Sequence, residues 1–121
     1  MAATANIVIA NNAAANKTFI PSVAIPSGYQ YRDNASTADA PRTLDITHTA
    51  VNGASASNAK HTFKVTQLRA NTAGQLRTGY FKCDISVPKD GLTASDVSDL
   101  AAFVRNFFSD ANLQTLLLGG F

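Results

Sequence analysis

A chain of 121 residues that is 45% hydrophobic but only 8% aromatic, with no Trp, has room for one domain and a thin core, so burial against other copies of itself is expected to complete it. Its single cysteine, Cys83, excludes an internal disulfide. No apolar run approaches the roughly 18 residues needed to cross a bilayer, and neither a basic start nor a signal-like apolar block opens the chain, so a cytosolic setting is the default.

Asn6 to Ala10 reads as a short strand, Asn11 to Asn16 as turn chemistry, and Thr18-Phe19-Ile20 as a return strand stopped by Pro21. Together they give an N-terminal hairpin over residues 1–25. After the loop Pro26-Ser27-Gly28, the segment Tyr29 to Arg32 is a strand with both tyrosines on one face. Asp33 to Pro41 is too poor in apolar residues to be ordered by a core and is expected to be flexible. Arg42 to Val51 alternates, with Leu44, Ile46 and His48 on one side and Thr43, Asp45, Thr47 and Thr49 on the other. Asn52-Gly53 makes the next turn.

Lys60 to Leu68 alternates again, separating His61, Phe63 and Val65 from Lys60, Thr62, Lys64 and Thr66. Asn71 to Gly74 is a loop, and Gln75 to Thr78 can pair around it. Phe81, Cys83, Ile85 and Val87 then share one face of a strand, with Tyr80, Lys82, Asp84 and Ser86 on the other. Pro88 ends that strand, Asp90-Gly91 turns the chain, and Thr93 or Ser95 caps a helix with Asp96 and Asp99 against its positive end. Along this helix Val97, Leu100, Val104, Phe107 and Phe108 form an apolar stripe that needs a cover, which makes it core or subunit interface. A second short helix starts at Asp110 or Asn112, runs through Leu118 and stops at Gly119-Gly120. The prediction is a single α+β domain over 1–121, with the hairpin, an antiparallel sheet of five strands over 28–88, and two helices over 93–119.

Charge is uneven along the chain. Residues 42–82 carry six cations against Asp45 alone, and the last 39 residues carry two against five aspartates. A basic middle beside an acidic helical end suggests one face for a polyanion. The polar sides of three strands, bearing Thr47 and Thr49, then Lys60, Thr62 and Lys64, then Tyr80 and Lys82, would form one surface if the strands are neighbours. Lysine contacts phosphate, hydroxyls reach phosphate or base edges, and Tyr80 with Tyr29 or Tyr31 could stack on unpaired bases, which suits single-stranded or looped RNA. Simple solvation of an exposed sheet face accounts for the same pattern. His48, His61 and Cys83 are the candidates for a nucleophile–base pair or metal cluster, yet all three fall on apolar strand faces, and no metal-spacing or catalytic motif accompanies them. No catalytic residue, cofactor or metal is expected.

The whole chain resembles the coat proteins of single-stranded RNA bacteriophages, the leviviruses. Asp99 to Arg105 with the Leu-rich end resembles their two C-terminal helices, Lys60 to Val65 resembles their central RNA-contacting strand, and Tyr80 opens a strand as their RNA-stacking tyrosine does. The resemblance implies an intertwined homodimer with a continuous sheet, its helices crossing the partner's sheet through the Val97, Leu100, Val104, Phe107 and Phe108 stripe. It also implies an icosahedral shell assembled in the bacterial cytoplasm, packaging of genomic RNA, and an RNA hairpin bound as translational repressor, with no reaction catalysed and no membrane involved. By position, Thr62 and Lys64 would line an adenine pocket, Tyr80 would stack on a loop base, and Thr47 and Thr49 would contribute from the adjacent strand. Lys82 stands where an amide or acid is usual in the family, Tyr29 where a small aliphatic residue is common, and the 70–76 loop carries no cysteine. The alternatives are a non-viral dimeric RNA-binding module that forms no shell, and a small hydrolase using Cys83 with His48 or His61.

Overall fold

The computed structural model describes residues 5–49, 58–88 and 91–120. Two compact units divide the chain, a strand unit over 1–86 and a helical unit over 87–121. The strand unit is one six-stranded sheet in which β1 (Ile7–Ala10), β2 (Asn16–Ile25), β3 (Gly28–Asp33), β4 (Arg42–Thr49), β5 (Asn58–Ala70) and β6 (Leu76–Pro88) lie side by side in chain order. The hairpin expected to stand apart from five strands is therefore part of the sheet, because β2 pairs on its other side with β3. Pro21 does not stop β2. The strand carries it at a register shift between Pro21 and Val23, which is how a ladder absorbs a residue without a backbone donor.

Two of the turns share one device. The Asn11 side-chain oxygen accepts from the Ala13 and Ala15 amides, and the Asn71 oxygen accepts in the same way from Ala73 and Gln75. Both turns need a left-handed residue at their fourth position. Gly74, at φ +80°, adopts it freely, whereas Ala14 adopts it at φ +60° against the clash of its Cβ. Between β2 and β3 only Pro26 and Ser27 remain. The chain there returns so closely that a Cβ on Gly28 would collide with the Ile46 carbonyl oxygen.

Strand pairing fixes the two faces. Across β3, β4 and β5, Tyr29 lies opposite Ile46 and Ile46 opposite Phe63, while Tyr31, Leu44 and Val65 form the next row. This apolar face holds the small core: Leu44 is fully buried and Phe19 nearly so. Asp33 is buried beside them, neutralised by the Arg42 guanidinium at 3.1 Å. Arg42 also donates to Gln67, whose amide reaches the carbonyls of Ala40 and Pro41. The Asp33 carboxylate and carbonyl receive the Ala35 amide and the Ser36 hydroxyl. The 33–41 segment, expected to be flexible for want of apolar anchors, is thus organised by polar contacts around one buried carboxylate.

In the helical unit, α1 spans Ala94–Phe107 and α2 spans Asp110–Leu117. Thr93, rather than Ser95, caps α1: its hydroxyl accepts from the Asp96 amide while the Asp96 carboxylate accepts from the Thr93 amide. Ser109 caps α2, so that helix begins at Asp110. Neither helix contains a buried residue. No helix among the described residues is long and apolar enough to cross a membrane. The expected turn at Asn52-Gly53 and the Asp90 half of the turn before α1 lie outside the described residues.

Candidate nucleic-acid interface

The second sheet face is built by the same pairing that builds the core. Thr43, Asp45, Thr47 and Thr49 of β4 stand opposite Thr66, Lys64, Thr62 and Lys60 of β5. From β6, Asp84 joins this face by accepting a 2.7 Å hydrogen bond from the Thr62 hydroxyl, and alternation brings Lys82 and Tyr80 with it. Seven of the eight residues singled out in the sequence therefore share one surface: Thr47, Thr49, Lys60, Thr62, Lys64, Tyr80 and Lys82.

Tyr29 does not join them. Its partner Ile46 places it on the apolar face, and Tyr31 beside Leu44 goes with it, so neither can stack alongside Tyr80. The basic middle of the sequence is divided in the same way. Arg42, opposite Gln67, lies on the apolar-face side, where Asp33, Arg42, Gln67, Arg69 and Lys17 line a polar cleft of about 260 Å³. Among the described residues, what remains on the threonine-rich face is Arg32, Lys60, Lys64 and Lys82 against Asp45 and Asp84, a surplus of two positive charges.

Contacts on this face pre-arrange its side chains. The Lys64 ammonium sits 4.5 Å from the centroid of the Tyr80 ring, a cation–π contact that holds the ring beside the charge while Tyr80 stays 59% exposed. Asp84 lies 3.7 Å from the Lys82 ammonium and 4.0 Å from that of Lys60. The Thr62 hydrogen bond, helped by these two ammonium groups and opposed by partial desolvation, holds the Asp84 carboxyl below its ordinary range. It is therefore a carboxylate at neutral pH and ties two lysines to one point. Gln30 similarly donates to Asp45 at 3.0 Å. Asp84 was legible as a polar-face residue, but its role as the hub of the lysines appears only once β5 and β6 are side by side.

Such a face offers hydroxyls, ammonium groups and one exposed aromatic ring to a ligand. On the other face the His48 and His61 rings touch, with their Nδ1 atoms 2.7 Å apart. Among the described residues, no group of three or more His, Cys, Asp or Glu side chains is placed to hold a metal ion.

Apolar surface is left over in both units. Phe63, Phe81 and Ile85 of the sheet are exposed, as are Leu100, Val104, Phe107 and Phe108 of the predicted stripe. Phe103, omitted from that stripe, is 69% exposed, and Leu117 and Leu118 extend the apolar surface into α2 and beyond it.

No protein-family model matches this chain, and no curated protein matches it. Its fold is nevertheless that of chains forming virus-like particles of levi-like phages. It superposes on a chain of the virus-like particle of bacteriophage GQ-907 with a TM-score of 0.73 at 18% identity, over 99% of this chain and 92% of that one. The Beihai levi-like virus 21 particle gives a TM-score of 0.72 at 15% identity, over 96% and 94% of the two chains. Bacteriophage NT-214 gives 0.69 at 23% identity, over 95% of each. At these identities the likeness establishes the fold alone, and it extends over nearly the full length of both chains.

Proposed function

We propose that this protein is the coat protein of a single-stranded RNA phage, a non-catalytic shell subunit that assembles as dimers and packages RNA against its threonine- and lysine-bearing sheet face. The observation that carries the proposal is the Lys64–Tyr80 pair set in a row of lysines and threonines, on a fold whose relatives form virus-like particles. Lys60, Lys64 and Lys82 supply the phosphate contacts, Thr47, Thr49 and Thr62 the hydroxyls, and Tyr80 the stacking surface. Thr62 and Lys64 would receive an unpaired adenine, and by holding an RNA hairpin there the protein would act as a translational repressor.

Surface left uncovered supports the dimer. A thin core, an exposed helix stripe and exposed sheet apolars within one chain are what a partner's helices would bury. β6 stands at the end of the strand order, where a second copy can continue the sheet. The site of action is then the virion, with assembly in the host cytoplasm.

The test is to express the chain in bacteria, purify it, and image it by negative-stain electron microscopy beside its 260/280 nm absorbance ratio. Closed particles rich in nucleic acid are expected. Soluble dimers that shift RNA but never close would instead favour a non-viral RNA-binding module, and small species free of nucleic acid would refute both.

A further inference from the structure

The two histidines outside the RNA-facing surface are placed by backbone geometry to act together. His48 and His61 are directly opposite in the β4–β5 ladder. The His48 amide donates to the Ser27 carbonyl at 2.9 Å, so its backbone polar groups point toward β3 and away from β5. The His48–His61 pair is therefore a non-hydrogen-bonded pair, the position in an antiparallel ladder where opposed side chains come closest. The rings meet edge to face at 72° with centroids 4.9 Å apart, and their Nδ1 atoms are 2.7 Å apart. One Nδ1 carries the hydrogen and the other accepts it.

We propose that His48 and His61 form a two-histidine site for a divalent transition-metal ion of the copper or nickel type. The Nδ1 separation favours one class of metal. Bonds of about 2.0 Å at a right angle, as in tetragonal copper or nickel, put two nitrogens about 2.8 Å apart, whereas tetrahedral zinc needs about 3.3 Å. The observed separation is within about 0.1 Å of the first span, and the rings need to turn so that their lone pairs converge to one side of the Nδ1–Nδ1 line. For two neutral rings, the one that holds its hydrogen on Nδ1 moves it to Nε2, and both Nδ1 lone pairs are then available to the metal. In the single chain His48 is exposed and His61 half-buried, so water can reach the remaining positions there. The neighbouring described row on this face holds Ile46 and Phe63, which bring no competing charge.

Cys83 lies on the same strand face as Phe81 and Ile85, so the test uses a Cys83→Ser background, which removes the thiol as a copper ligand. Titration of the purified full chain with copper(II) chloride is followed by electron paramagnetic resonance. One tetragonal copper per chain, with hyperfine structure from two nitrogens, is expected. His48→Gln and His61→Gln should each lose that signal while leaving circular dichroism unchanged. A spectrum of the Cys83→Ser protein indistinguishable from aqueous copper overturns the proposal without recourse to any histidine variant. So does a two-nitrogen signal that survives in both glutamine variants.

Discussion

Lys64→Ala is the most informative single change on the sheet face, because the proposed function gives the residue two separable roles. As a phosphate contact it releases counterions on binding, and each such contact on single-stranded nucleic acid adds about 0.7 to the slope of log affinity against log salt. Removing one contact therefore makes the wild-type advantage shrink by about fivefold as salt rises from about 0.05 to about 0.5 M. Its second role is to hold the Tyr80 ring 4.5 Å away, an exposed cation–π contact worth about 0.5–1 kcal/mol, which does not depend on phosphate. A residual, salt-independent loss of about two- to fivefold should thus persist when the electrostatic part has been screened. Fluorescence anisotropy of a labelled RNA hairpin, titrated at several salt concentrations, separates the two parts. Identical slopes for Lys64→Ala and wild type would show that Lys64 touches no phosphate and would remove it from the site.

Asp84→Asn should act in the opposite direction, tightening RNA binding and steepening its salt dependence, because it frees the Lys60 and Lys82 ammonium groups from a shared carboxylate. The Asp84 pKa is depressed, so this restraint is present at neutral pH and is lost only as pH falls through the lowered range; wild type and Asp84→Asn should differ at pH 7 and converge in acid. Weaker binding by the asparagine variant at neutral pH would contradict this. Phe107→Asp places a charge in the exposed stripe of α1 and should abolish assembly, leaving only small species in sedimentation velocity; intact particles would remove that stripe from the interface. Ala14→Gly should stabilise the chain by about 0.5–1 kcal/mol, the left-handed cost of roughly 1–2 kcal/mol for alanine less the added unfolded-state entropy of glycine. A lowered melting temperature in that variant would mean that the Ala14 methyl makes contacts that outweigh its strain.

Elements built on local periodicity were legible in the sequence. Alternation in Lys60 to Leu68 and in Tyr80 to Val87 separated the lysine and threonine face from the apolar one, and both strands are found with that division. The start of α1 was legible to within two residues, as a cap at Thr93 or Ser95, and the box that Thr93 forms with Asp96 decides between them. What failed depended on partners distant in sequence. The two tyrosines of β3 do share a face, but which face is set by register against β4, across a segment whose length says nothing about pairing. The same segment takes its order from a buried aspartate, an arginine and a glutamine drawn from three places in the chain, and polar contacts leave no hydrophobic periodicity to read. Pro21 signalled a stop that β2 circumvents with a bulge, a choice available only because strands on both sides hold it. His48 and His61, thirteen positions apart, fit no metal-spacing motif, since their proximity belongs to the ladder and not to the chain.

The most direct test is ultraviolet cross-linking of RNA inside particles purified from the expressing cell, followed by mass spectrometry of the peptides. Cross-links concentrated on Lys60, Thr62, Lys64, Tyr80 and Lys82, with none on Tyr29, Tyr31 or Phe81, are the predicted result. RNA cross-linked chiefly to that apolar side, or protein that forms no closed particle and retains no RNA, would contradict the proposed function.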